Sequence, residues 1–149
     1  MLNASSISLR LAKLNECIAR LKEQQGISLA EYKANPLVQG SVERCFQVAI
    51  ECCTDMASHL LAGYGLKRPA RQRDVFKVLA DAGYLDPDYA EIMARMVQLR
   101  NRLVHLYWDI DPERMHQYLQ EDIIHLERFR AFTLAIMERD HQERRHGIA

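Results

Sequence analysis

Arg100, Asn101, Arg102, His105 and Tyr107 fall within eight residues of one another. Their types suit phosphate chemistry. A guanidinium stays charged and grips two phosphate oxygens at once. An imidazole takes up and releases a proton near neutrality, as general acid–base catalysis requires. RNA brings its own nucleophile, the 2′-hydroxyl. A guanidinium and an imidazole together therefore suffice to cleave RNA without metal. In that reading His105 is the general acid or base. Arg100 clamps the phosphate where charge grows in the transition state. Asn101 orients the phosphate or His105, and Arg102 binds RNA backbone or forms a surface pair. Each residue also has an ordinary role. A histidine late in a helix interacts with the last carbonyls, and a tyrosine packs at a core edge with its hydroxyl outward.

Other chemistry finds less support. His59, His116, His125, His141 and His146 show no repeated ligand spacing, although His125 has a route toward the same cleft. Cys17, Cys45, Cys52 and Cys53 contain no Cys-x-x-Cys and read as buried small hydrophobes in a reducing compartment. There is no Gly-x-Ser-x-Gly, and Tyr64-Gly65-Leu66-Lys67-Arg68 is too poor in glycine for a phosphate loop. Glu43 and Glu51 face different sides of their helix and do not suggest a carboxylate pair. The sequence thus calls for no metal and no cofactor.

These residues need a scaffold, and 149 residues with 48% hydrophobic and 27% charged content imply one folded domain over 1–149. Acidic and basic residues balance at 20 each, which argues against a protein that coats nucleic acid through long-range attraction. Local basic segments remain. Ile92 to Trp108 contains no acid, and Lys67-Arg68-Pro69-Ala70-Arg71-Gln72-Arg73 is a second basic patch. No run approaches the roughly 18 apolar residues of a membrane helix, and Met1 to Ser6 lacks a signal-peptide layout. A cytoplasmic protein is expected.

Helical spacing recurs and strand signals are absent. The expectation is an all-α up-and-down bundle of four long helices and a short one. The first carries Ile7, Leu11, Leu14, Ile18 and Leu21 and stops at Gly26. The second follows Asn35-Pro36, carries Val42, Cys45, Ala49, Cys52, Met56 and Leu60, and ends near Gly63. The short third covers about Arg71 to Ala82. The fourth opens at Asp86-Pro87, an aspartate cap with proline behind it, and ends near Tyr107 to Asp109. The fifth opens at Asp111-Pro112 by the same device and runs unbroken past Ile136.

The fourth helix carries two apolar rows. Ile92, Met96, Leu99, Leu103 and Leu106 form the expected core stripe. Met93, Val97, Val104 and Trp108 form a second row, roughly 100° away. Either that helix is central within one chain, or the second row meets a second copy, which is the favoured expectation. Asn101 and His105 flank the second row, and Tyr107 lies beside the core stripe. Arg100 and His105 are five apart and need not touch in an ideal helix.

The run Arg100-Asn101-Arg102-Leu103-Val104-His105-Leu106-Tyr107 carries the pattern Arg-x4-His-x-Tyr. It resembles the signature of HEPN-domain toxins of the HepT type. Val42 to Glu51 is similar to that family's second helix, and Asp81-Ala82-Gly83-Tyr84-Leu85 to the turn before its motif helix. The resemblance spans about residues 5 to 137. It implies a HEPN-like homodimer with its cleft at the interface, and a toxin that cleaves tRNA or mRNA without metal. It further implies a partner, a minimal nucleotidyltransferase antitoxin, which silences the toxin by transferring adenylyl groups to Tyr107. The alternative is a non-catalytic module that binds a nucleotide or the partner itself.

Overall fold

Apolar steps of three and four become buried helix faces in the computed structural model, which describes residues 2–147. In chain order these residues form α1 (Ala4–Gln24), α2 (Leu29–Ala34), α3 (Pro36–Gly63), α4 (Val75–Asp81), α5 (Pro87–His105), α6 (Pro112–Glu121) and α7 (Ile123–Arg145). Two 3-10 turns, Gln72–Asp74 and Tyr107–Asp109, complete the set, and no strand occurs among the described residues. The expected all-α bundle is the architecture observed.

Helix starts follow side-chain caps. Asn3, Asn35, Asp86 and Asp111 each accept a hydrogen bond from a backbone amide of the first turn. Pro36, Pro87 and Pro112 sit in those first turns, where no amide is missed. Helix α3 is the central element and packs against α1, α4, α5 and α7. Its buried residues include Phe46, Ala49, Ile50, Cys53, Met56 and Leu60. All four cysteines are buried and unbridged. At Gly83, φ is +88°, a left-handed stop that lets Tyr84 N–H reach the Leu79 carbonyl at 2.9 Å.

Three boundaries outside α5 differ from the sequence reading. The segment after Gly26 holds an additional helix, α2. Ser28 accepts the Glu31 amide at 3.1 Å, and its hydroxyl donates to the Glu31 carboxylate at 2.9 Å. That is a Ser-x-x-Glu start signal which the sequence displays. Tyr32, 1% exposed, anchors the short helix, which packs on α6. The short third helix is also briefer than expected, because Gln72–Asp74 winds as a 3-10 turn.

The expected fifth helix divides at Asp122 into α6 and α7. Met115, Leu119, Ile123 and Leu126 keep steps of four and three straight across the break, so the apolar period conceals it. Aspartate competes for backbone groups in non-helical conformations and favours such junctions. Here Asp122 ends α6 and begins α7, with its carboxylate 3.7 Å from His125.

Helix α5 lies against both α3 and α4. Met96, Leu99 and Leu103 are buried on the expected stripe, but so are Met93 at 0% and Val97 at 1%. That part of the second apolar row belongs to the chain's own core, which corrects the expectation of a partner there. Val104 is half-buried and Trp108 is exposed, so only the row's C-terminal end is left uncovered.

Candidate functional site at the end of helix α5

Two caps define the segment that carries the polar cluster. Asp86 fixes where α5 starts, with its carboxylate accepting the Asp88 amide at 3.2 Å. Pro112 pushes Asp111 into an extended conformation, and both Ile110 and Asp111 are extended. The chain must therefore unwind between them. It does so at Leu106, with φ −127° and ψ 40°. Leu106 N–H still reaches the Arg102 carbonyl at 2.8 Å, and Asp109 N–H reaches the Leu106 carbonyl at 2.9 Å.

His105 is thus the last helical residue, and Tyr107 lies beyond the helix in the 3-10 turn. This corrects the expectation that α5 continues to Tyr107 or later. Two placements change with it. Leu106 leaves the core stripe and is 40% exposed, and Tyr107 stands out at 72% instead of packing at the core edge. Trp108 is 70% exposed and meets the Tyr107 ring edge-on, with centroids 5.3 Å apart.

Arg100 is the best-fixed member of the cluster. Its Nε donates to Glu51 Oε1 at 3.0 Å, and its Nη1 donates to Asn101 Oδ1 at 2.9 Å. Gln47 Nε2 also donates to Glu51 Oε1, at 3.4 Å. Two arms of the guanidinium are held, and Nη2 has no partner among the described residues. A guanidinium oriented in this way loses little freedom when it binds an anion.

Glu51 is the residue that sequence reasoning missed, since spacing alone tests it only as half of a carboxylate pair with Glu43. The usable signal is its setting. It interrupts the apolar run Ile50, Cys52, Cys53 on a helix buried on several sides, where a carboxylate needs a cation.

Asn101 and His105 are four apart and share a face of α5, so Asn101 lies between the held guanidinium and the imidazole. His105 is exposed and has no hydrogen-bond or ion-pair partner among the described residues. Among the described residues no hydrogen bond joins the imidazole to the Arg100 guanidinium, whose bonds go to Glu51 and Asn101. Arg102 makes the surface pair. Its Nη2 donates to the Asp109 carbonyl at 3.4 Å and lies 3.7 Å from the Asp109 carboxylate. It braces the turn that carries Tyr107.

His125 does not reach this cluster. It lines a cavity of about 430 Å³ with Ile92, Arg95, Met96, Leu99, Tyr118 and Asp122, on the other flank of α5. Burial there raises the Asp122 carboxyl above the usual carboxylate range. Among the described residues, no cluster of three or more His, Cys, Asp or Glu could hold a metal ion.

Residues 14–132 match the Ribonuclease HepT-like family. The chain is similar to the mRNA nuclease HepT of Shewanella oneidensis, at 29% identity over 123 residues, covering 83% of this chain and 90% of that protein. It is similar also to the tRNA nuclease HepT of Aphanizomenon flos-aquae, at 31% identity over 109 residues, covering 73% of this chain and 74% of that one. Among solved structures, it resembles the tri-AMPylated Shewanella oneidensis HEPN toxin in complex with MNT antitoxin. The TM-score is 0.80 at 27% identity, over 91% of this chain and 99% of that chain.

Proposed function

Because this chain belongs to the HepT-like ribonuclease family, we propose that it is the toxin of a toxin–antitoxin pair and cleaves mRNA or tRNA in the cytoplasm. Arg100, Asn101 and His105 are its working groups. The 2′-oxygen attacks the adjacent phosphorus as its proton leaves to a base. The bond to the 5′-oxygen breaks, and that oxygen takes a proton. The products are a 2′,3′-cyclic phosphate and a 5′-hydroxyl. Nothing in those steps requires a metal.

His105 serves as the base or the acid. One imidazole fills one of those roles per chain, so a twofold pair of chains, each bringing its own His105, supplies both. Arg100 takes the charge that builds on the non-bridging oxygens. The observation that carries this reading is the Arg100 fork, with two arms tied to Glu51 and Asn101 and Nη2 left unpaired.

Tyr107 is the control point in the same reading. A partner nucleotidyltransferase binds ATP, the Tyr107 oxygen attacks its α-phosphorus, and pyrophosphate leaves as the phenolic proton is lost. Two observations support this. Tyr107 is 72% exposed, two residues past His105, and the similar Shewanella toxin is tri-AMPylated and complexed with an MNT antitoxin. Each added phosphodiester brings a negative charge and bulk to the cleft, where it repels substrate phosphate and competes for Arg100.

The test is cleavage of RNA by protein made without its antitoxin, in the presence of a chelator. His105→Ala and Arg100→Ala should each slow cleavage by on the order of 10²–10⁴-fold while the melting temperature holds. Activity that survives both substitutions removes the proposed roles. A wild-type chain that is inert on RNA and harmless in cells points to the binding-module alternative. Mass spectrometry after co-expression should find adenylate on the Tyr107 peptide and none in a Tyr107→Phe variant.

A further inference from the structure

The cleavage chemistry leaves the second basic segment without a role. Lys67, Arg68, Arg71 and Arg73 are four cations in seven residues of the α3–α4 connection. Such a run is ordinarily a solvated surface loop. This one is fastened to the site. Gln72 Nε2 donates to Thr54 Oγ1 at 3.2 Å, and the Thr54 hydroxyl donates to the Glu51 carbonyl at 2.9 Å. Thr54 follows Glu51 by three residues on α3, so the two share a face, and the Glu51 carboxylate holds Arg100. The turn at Gln72–Asp74 also packs against α5. The basic loop and the Arg100 guanidinium therefore hang from the same stretch of α3.

The nearby acids are already engaged. Glu51 pairs with Arg100 at 3.0 Å, Asp55 with Arg10 at 3.4 Å and Asp74 with Arg71 at 3.0 Å. Lys67, Arg68 and Arg73 have no ion-pair or hydrogen-bond partner among the described residues. Arg68 borders an open cavity of about 320 Å³ that is also lined by Arg10, Asp55, Ser58, His59 and Gln72. Arg68 lines that depression, and Lys67 and Arg73 belong to the same loop, so in a chain with no net charge the loop is locally positive.

We propose that Lys67, Arg68 and Arg73 form a second RNA-phosphate subsite, which holds the backbone of the strand whose scissile phosphate lies at Arg100. The proposal rests on the RNA-cleaving reading and extends it to how the strand is held. Phosphate contacts fix register without reading bases, so the loop contributes affinity and leaves base preference unchanged. A single-stranded RNA is favoured over an acidic protein surface because the loop shares its anchor with Arg100.

The test uses the full chain in the His105→Ala background and a fluorescein-labelled single-stranded RNA of mixed sequence. Binding is followed by anisotropy over a salt series. Substituting Lys67, Arg68 and Arg73 together by alanine should weaken binding by on the order of tenfold. It should also flatten the log–log salt slope by about 2, at roughly 0.7 for each single-strand phosphate no longer neutralised. Removing the same charge from the ion-paired Lys22, Lys33 and Lys77 is the control. In the active chain the loop variant should raise KM and leave kcat within about twofold, the signature of weakened uniform binding.

Equal binding by loop variant and control overturns the subsite while cleavage by the wild-type chain keeps the broader reading. Unchanged RNA binding with loss of nucleotidyltransferase co-purification overturns it in favour of a protein contact. Absence of RNA binding and cleavage in every form overturns the RNA reading itself. The single variant Gln72→Ala keeps all four charges but frees the loop. A smaller rise in KM than in the triple variant is expected, and no rise would remove the anchoring argument.

Discussion

The two ends of α5 obey different rules. From Asp86 to Val97 the helix is capped, proline-started and packed, with Tyr89, Met93 and Val97 at 1%, 0% and 1% exposure. Tyr89 even places its hydroxyl on the His125 carbonyl at 2.7 Å. From Arg100 onward only Leu103 of α5 stays buried, and the helix end and the turn behind it face outward. Asn101 and His105 are exposed, and Leu106, Tyr107 and Trp108 put three large side chains in a row into solvent, at 40%, 72% and 70%. A stable monomer gains nothing from that row. The first end shows what folding alone asks of this sequence, and the second is where local rules are broken without a folding reward. Departures of that kind concentrate at functional sites. The packed end is then a rigid base for a cluster that must hold its geometry.

Emptying the packed end should separate stability from chemistry most sharply. Met93 is fully buried, so Met93→Ala removes its packing and leaves a cavity. A loss of about 2–5 kcal/mol in unfolding free energy is expected, read by denaturant titration. RNA cleavage per folded molecule at low temperature should stay within a few-fold. A large drop in activity with stability intact would mean that the two ends are not separable.

Glu51 joins the packed interior to the exposed site, and its removal should do the reverse. Glu51→Ala releases Arg100 Nε and should slow cleavage by roughly tenfold to a hundredfold, about 1.4–2.7 kcal/mol in barrier. The ion pair is partly exposed, at 24% and 33% for the two side chains, so its contribution to stability stays under about 1 kcal/mol. Glu51→Gln keeps an acceptor for Nε and should restore most of the rate. Equal rates for the alanine and glutamine variants would show that the carboxylate does not position Arg100.

How the sequence reveals these regions follows the same divide. Core faces of α1, α3 and α5 are legible because burial imposes a period, and starts at Asn35-Pro36, Asp86-Pro87 and Asp111-Pro112 are legible because capping needs specific side chains. The end of α5 is not. Leu106 fits the helical period as well as Leu103 does, and the extended residue required before Pro112 sets only a late limit on where the helix stops. The split at Asp122 is concealed for a related reason, since the apolar steps continue through it. Arg100, Asn101 and His105 stand out by type, and Arg102 by its place in the same run. Glu51 does not, because its pairing with Arg100 spans 49 positions and no local pattern encodes it. The second apolar row on α5 is ambiguous in principle, for a row covered by α3 or α4 reads the same as one covered by another chain.

Trp108 gives the smallest expected effect on the isolated chain and the finest test of the contrast. Its ring is 70% exposed and touches Tyr107 edge-on, so Trp108→Ser should change monomer stability by no more than about 0.5 kcal/mol. The proposed twofold assembly predicts a different result in self-association. An aromatic at the centre of an interface dominates its energy, so the dimer should dissociate at concentrations at least about tenfold higher. Sedimentation across a dilution series would measure this. If the cleavage site is completed by a second copy, specific activity of the variant should fall on dilution and recover at high concentration, because each chain retains Arg100 and His105. A dimer that withstands both Trp108→Ser and Leu106→Ser would place the interface elsewhere. The exposed row would then be left for the proposed nucleotidyltransferase partner, since Tyr107, its proposed target, sits between those two side chains.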